Sequence, residues 1–240
     1  MPGLVISGRV VGARFGGRQV STKPHEDRPY LSKDDTAFLT KARITSWEAN
    51  KTFSSDWAAE HFFTWAELLH QLRDKRVRIL EIGSWEGRSA LFFLNYLPQS
   101  RIVCVDPFDG NVEHSRDPYW VELARKSESQ FDSTLAAFAD RVEKIKGNSA
   151  DILPKLGISG RRFDLAYIDG SHMAADVYSD AVLTWPLMER AGIVIFDDYE
   201  WDLMNEESER PRLGIDAFLA AFSGHYKELH RGYQIAIVKL

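Results

Sequence analysis

Residues 77–90 read Val-Arg-Ile-Leu-Glu-Ile-Gly-Ser-Trp-Glu-Gly-Arg-Ser-Ala, and this stretch decides the fold. Val77–Ile82 is a short apolar run closed by Gly83, which predicts a buried strand followed by a sharp turn. Gly83 and Gly87 let the backbone turn and approach a ligand with no Cβ in the way. Arg88–Leu97 is amphipathic and is closed by Pro98, which predicts a helix. The free N–H groups at its start face the same space as the glycine turn.

Outward from there the alternation repeats. Arg101–Val105 is a predicted strand, and Pro118–Ala139 a long helix with Pro118 suited to its first turn. Val142–Lys146 is a strand, Ala150–Leu156 a helix and Phe163–Ile168 a strand. Ala174–Glu189 is a helix disturbed at Pro186, Gly192–Asp197 a fully buried strand, and Pro211–Phe222 a helix. His225–His230 and Tyr233–Lys239 are strands joined at Arg231-Gly232, a connection that permits only antiparallel pairing. The expectation is an α/β fold: a doubly wound, mostly parallel seven-stranded Rossmann-like sheet with an antiparallel last strand. It occupies residues 75–240. Residues 1–74 form an N-terminal helical and irregular extension. Residues 8–18 read as a flexible leader or short hairpin. Asp56 caps a helix running to about Arg73 that packs Trp57, Phe62, Trp65, Leu68, Leu69 and Leu72 on the main domain.

The chain has 240 residues, 44% hydrophobic and 27% charged, which fits one folded domain with an appendage and excludes general disorder. No run approaches the length of a membrane span, and the first residues lack the apolar core of a signal peptide. Cys104 is the single cysteine, so an internal disulfide or a cysteine-based zinc site is excluded. A cytoplasmic protein is expected. The net charge of −5 divides into +4 over residues 1–25 and −9 over the remainder. An acidic body argues against nucleic acid as the main partner, and the basic leader reads as a solvated tail.

Ligands of such sheets bind beyond the carboxyl ends of the strands. In the first crevice, the turn Glu81-Ile82-Gly83-Ser84-Trp85-Glu86-Gly87-Arg88-Ser89 faces Asp106, which ends the second strand and can accept hydrogen bonds from ribose hydroxyls. Glu86 would repel a pyrophosphate, and the G-x-x-x-G spacing departs from the dinucleotide G-x-G-x-x-G. S-adenosylmethionine has no phosphate and carries a sulfonium and an ammonium, so the acids here suit it better than NAD. Asn148 and Ser149, beyond the third strand, either contact adenine or cap a helix. In the second crevice, Asp169 with His172 and the pair Asp197-Asp198 end the fourth and fifth strands. Carboxylates there suit a hard cation such as Mg²⁺, or they cap the following segments. His172 has the titration range of a general base, or it holds the loop or ligates the metal. Trp57, Trp85, Trp120, Tyr199 and Trp201 are candidate pocket walls. Of these, Trp57 reads better as core, and Tyr199 and Trp201 as pocket. Glu206-Glu207-Ser208-Glu209 reads as a solvated loop or lid.

Together ILEIGSWEGRSA, CVDPFDG, YIDGSH and FDDY resemble the motifs of class I S-adenosylmethionine-dependent methyltransferases over about Val77–Leu240. The last two motifs are similar to a branch related to macrolide-sugar O-methyltransferases and, more distantly, to catechol O-methyltransferases. The resemblance implies that Asp169, Asp197 and Asp198 ligate Mg²⁺. It also implies that Glu81 and Gly83 face the methionine part of the cofactor and that Asp106 holds its ribose, with Ser84, Gly87, Ser89, Asn148, Ser149 and Asp169 completing the cofactor-binding set and Asp169 joining His172 as a catalytic residue. His172 and Asp198 replace the lysine and asparagine of catechol enzymes, so acceptor chemistry does not carry over. The implied activity is Mg²⁺-assisted O-methylation of a small hydroxylated molecule, a sugar-bearing natural product or a phenol, with a homodimer suggested by fold analogy. A metal-free methyltransferase using His172 as base, a cofactor-binding scaffold without turnover, and a nicotinamide-dependent oxidoreductase are the alternatives.

Overall fold

The structure, a computed structural model, describes residues 38–110, 115, 117–203 and 206–240. The basic leader and the leader or hairpin expected at 8–18 lie outside the described residues. Among the described residues, α1 (Lys41–Trp47) and α2 (Phe62–Leu69) precede the sheet. Strand–helix units follow: β1 (Arg78–Ile82), α3 (Arg88–Tyr96), β2 (Arg101–Asp106), α4 (Pro118–Leu135), β3 (Val142–Lys146) and α5 (Ser149–Ile158). The chain closes with β4 (Phe163–Ile168), α6 (Ala174–Thr184), β5 (Met188–Phe196), α7 (Pro211–Ala221), β6 (Tyr226–Arg231) and β7 (Ile235–Lys239).

The seven strands form one sheet in the order β3-β2-β1-β4-β5-β7-β6. The first five are mutually parallel, and β7 runs antiparallel to both β5 and β6, between which it inserts. Side chains alternate across each strand, so the sheet feeds two cores. Ile79, Cys104, Leu165, Tyr167 and Ile195 pack under α1 to α4. Leu80, Val105, Ile168, Val194 and Phe196 pack under α5 to α7. Both faces are covered, which is why the central strands read as unbroken apolar runs. Among the described residues no helix is long and apolar enough to cross a membrane.

The extension departs from expectation in three places. The helix expected from Asp56 to Arg73 is broken into a 3-10 turn at Ala59–His61, then α2, then a second 3-10 turn at His70–Leu72. Trp57 precedes all three pieces and is 49% exposed. It is therefore not core, and its ring stacks on Trp120 at 5.2 Å instead. Helix α1 was not legible as periodicity, but its cap was present: the Thr40 hydroxyl accepts the Arg43 N–H at 3.2 Å. Farther along, the helix expected to reach Glu189 ends at Thr184, and Pro186 sits in a 3-10 turn. Proline supplies no N–H to continue a helix, and the chain enters β5 directly afterwards.

Candidate active site

From β1 the chain winds outward to β2 and β3, and the later strands fill the other side of β1. That reversal opens a crevice at the carboxyl ends of β1 and β4. Gly83 ends β1 with φ +80°, and a Cβ there would lie 1.9 Å from the Asp169 carbonyl oxygen. Asp169 N–H also donates to the Ile82 carbonyl at 2.8 Å. Glycine is thus required for two reasons, a left-handed backbone and close approach of the loop that follows β4. The two crevices share one wall.

Beneath the glycine turn lies Glu81, fully buried, its carboxylate accepting from Ser84 Oγ at 2.5 Å and Ser89 Oγ at 2.7 Å. Burial pushes its pKa up to about 7 against those hydrogen bonds. Glu81 was expected to face the cofactor. It is instead enclosed under the turn, and its reach toward the crevice runs through Ser84 and Ser89. Asp106 is also buried and holds the turn from the side. Its Oδ2 accepts the N–H groups of Ser84 and Trp85 at 2.6 and 2.8 Å, and its Oδ1 accepts that of Phe108 at 2.6 Å. Burial raises its pKa against these three N–H bonds. A carboxylate has about four acceptor positions, so one is left over for a ribose hydroxyl. Gly87, at φ +78°, is the N-cap of α3. Glu86 turns outward to the extension and accepts the Ser54 N–H at 2.7 Å. Asn148 is the N-cap residue of α5 but makes no side-chain capping bond. Ser149 hydrogen-bonds Asp180, whose pKa burial lifts to about 6.

At the second rim Asp169 and Asp198 meet His172, and Asp197 joins them through the Tyr167 hydroxyl. Ligand atoms of Asp169, His172 and Asp198 all lie within 4.8 Å of one another. His172 Nε2 is 2.9 Å from Asp198 Oδ2, and the Trp201 ring flanks the imidazole at 4.6 Å. Asp197 stands differently. Its Oδ2 accepts the Tyr167 hydroxyl, and its Oδ1 accepts from Gln234 Nε2 at 3.0 Å and from the Asp198 N–H at 2.8 Å. The Tyr167 hydroxyl also lies 3.0 Å from Asp169 Oδ2, so one phenol bridges two carboxylates. Burial, then the charges of Asp197 and Asp198, drives the Asp169 pKa well above the carboxylate range. Burial and the charge of Asp198 lift Asp197 to about 6. Burial also pushes Asp198 upward, but the hydrogen bond and charge of His172 outweigh it and hold Asp198 low. Crowded, poorly hydrated carboxylates in this state are the environment a divalent cation relieves, and an oxygen-dominated donor set suits a hard one.

Some expected wall residues lie elsewhere. Tyr199 is buried, its hydroxyl donating to Asp216 Oδ1 at 3.0 Å and accepting from Arg231 Nη1 at 2.9 Å. It therefore braces the loop and is not part of the pocket. Trp57, Trp85 and Trp120 gather beside the glycine turn, with Trp57 at 6.1 Å from Trp85. A groove of about 440 Å³ opens at the opposite, amino-terminal edge of the sheet, lined by Arg78, Arg101, Arg141, Arg161 and Arg162 among others. Most of that charge is spent internally. Arg78 pairs with Asp164 and Glu189, Arg161 pairs with Glu143, and Arg141 binds the carbonyls of Leu94, Pro98 and Ser100. Sequence reasoning gave no role to Tyr167, Tyr233 and Gln234. Tyr167 sat inside a quoted motif but read as strand, and the other two read as the start of the last strand.

A family model described as a methyltransferase domain matches residues 80–199. L-olivosyl-oleandolide 3-O-methyltransferase of Streptomyces antibioticus is 27% identical over 154 residues, which cover 60% of this chain and 34% of that protein. The chain thus spans about a third of that relative's length. The MycE methyltransferase of the mycinamycin pathway, solved with Mg, SAH and mycinamycin VI, superimposes with a TM-score of 0.56 at 18% identity, covering 82% of this chain and 54% of that one. The O-methyltransferase from Bacillus cereus, solved with SAH, gives a TM-score of 0.55 at 20% identity, covering 86% and 94%. At these identities the two solved structures speak to the fold.

Proposed function

Because the chain belongs to the methyltransferase domain family, we propose that it is an S-adenosylmethionine-dependent O-methyltransferase that uses Mg²⁺ and acts on a small hydroxylated acceptor. One observation carries the reading. The glycine turn of the first crevice rests on the backbone of Asp169, and Asp169 faces His172 and Asp198. A donor bound over the turn would therefore lie next to an acceptor held at the acids.

S-adenosylmethionine would supply an electrophilic methyl carbon on a sulfonium; Asp169, Asp197 and Asp198 would hold Mg²⁺, which would supply Lewis acidity toward a hydroxyl proton. The remaining work falls to the chain. Ser84 and the turn backbone bound the methionine end of the donor site, while Asp106 keeps the turn in shape. In the tautomer that donates Nε2–H to Asp198, the acceptor nitrogen of His172 is Nδ1. His172 removes the hydroxyl proton there as the methyl moves, and Asp198 stabilises the imidazolium that forms. Trp201 limits the ring's rotation. Holding two reactants in line at contact distance provides much of the acceleration in such a transfer.

The His172–Asp198 contact at 2.9 Å also supports a metal-independent form of the same reaction, because a base oriented by a carboxylate needs no ion. Turnover of a panel of hydroxylated sugars, glycosides and catechols, read as SAH release with and without EDTA, separates the two. Loss of turnover in EDTA and recovery with Mg²⁺ support the metal-assisted form. Full turnover in EDTA with loss in His172→Ala selects the metal-free form. SAH binding with no turnover across the panel points to a scaffold. Absence of SAH binding by calorimetry overturns the reading. We place this activity on a small molecule in the cytoplasm, in a homodimer, without nucleic acid or membrane partners.

A further inference from the structure

Gln234 is 2% exposed and lies in the turn between β6 and β7, far in sequence from every motif residue. Its Oε1 accepts the indole N–H of Trp65 at 2.7 Å, and its Nε2 donates to Asp197 Oδ1 at 3.0 Å. An indole can only donate, so Trp65 fixes which end of the amide points at Asp197. Trp65 itself is fully buried. It packs against Phe62, Phe92, Phe93 and Tyr167 with ring separations of 5.0–5.5 Å. The neighbouring residue of the turn repeats the arrangement. Tyr233 donates its hydroxyl to Asp198 Oδ1 at 2.8 Å, and His61 stacks on the Tyr233 ring at 5.5 Å.

We propose that Gln234 is a positioning residue for the acid rim, transmitting the rigidity of the buried Trp65 indole to Asp197. The proposal rests on the metal-assisted reading above and extends it to the N-terminal extension. With the amide fixed at one end, Asp197 cannot rotate about its χ2 without losing Gln234, Tyr167 or its own capping of Asp198. Its remaining acceptor position is therefore aimed in one direction. Hydrogen bonds to ligating carboxylates typically change metal affinity by about 10–100-fold.

The test uses the full chain, Mn²⁺ as the probe and SAH as an internal control, with Gln234→Leu and Trp65→Phe as the variants. Gln234→Leu removes both hydrogen bonds at similar volume, and Trp65→Phe removes the indole donor together with part of a buried ring. The expected result is Mn²⁺ affinity weakened about 10-fold or more in Gln234→Leu, and less in Trp65→Phe, with SAH affinity unchanged. Unchanged Mn²⁺ affinity in both variants overturns the proposal, and so does a parallel loss of SAH affinity, which marks general loosening. If the wild-type chain binds no Mn²⁺, the metal reading fails by itself. The relay is then judged by the Trp65 indole N–H resonance in Asp197→Asn. A shift supports a connected relay, and an unmoved resonance overturns it.

Discussion

Replacing Gly83 with alanine strikes the wall that the two crevices share. The new Cβ would lie 1.9 Å from the Asp169 carbonyl oxygen, 2.5 Å from its carbon and 2.8 Å from Gly170 Cα. All three are backbone atoms, so no side chain can swing aside. The left-handed backbone at φ +80° adds about 1–2 kcal/mol for any residue with a Cβ, and forced overpacking adds about 1–3 kcal/mol. The expected destabilisation is roughly 2–5 kcal/mol. With a urea m-value of about 2 kcal/mol/M, that lowers the unfolding midpoint by about 1–2.5 M. The loops must separate by an ångström or more, which misplaces donor against acceptor and lowers turnover by about 100-fold in the variant that stays folded. Urea unfolding followed by fluorescence, with SAH calorimetry at low urea, reads both effects. A midpoint within 0.2 M of wild type (~0.4 kcal/mol at that m-value), together with intact SAH binding, would refute the shared-wall reasoning.

Asp180 supplies a pH signature outside the acid rim. Its pKa is raised from 3.8 to about 6 by burial, so its stabilising contribution is complete below the unfolded value and disappears as pH rises through 6. Asp180→Asn should gain about 2–3 kcal/mol over wild type at pH 8 and nothing at pH 3.5, as read by thermal unfolding at several pH values. Equal differences at both ends would contradict the assignment. Asp106→Ala removes the acceptor of three backbone N–H groups. It should therefore lower thermal stability by about 3 kcal/mol or more along with SAH affinity. A variant that loses affinity at unchanged melting temperature would show that Asp106 acts on the ribose alone.

The sheet was legible because parallel strands buried on both faces announce themselves as apolar runs, and β1 through β4 begin within a residue of where the runs place them. The acids at the strand ends were legible for a related reason. Charge at the end of a buried strand needs a partner, and Asp169 and Asp198 do meet His172. What stayed hidden depends on contacts between distant segments. Glu81 sits in a strand pattern that cannot say whether its carboxylate faces a ligand or two serines. Tyr199 lies in a polar loop, yet a partner from β6, Arg231, draws it inward. Gln234 has no local signal at all, since its partners Trp65 and Asp197 lie far from it in the sequence. Trp57 misled because helical spacing continued one turn beyond the helix that forms.

The embedding of α2 in the sheet's core has a practical corollary for chimeras. Phe62, Trp65 and Leu69 are sealed against α3 and β4, and Arg88 at the start of α3 grips Glu48 and Asp56 at 2.6 Å each. A hybrid that grafts a foreign leader onto residues 75–240 inherits an unsealed aromatic floor and an orphaned guanidinium. To work, the donor segment must bring its own indole and its own pair of acids in register.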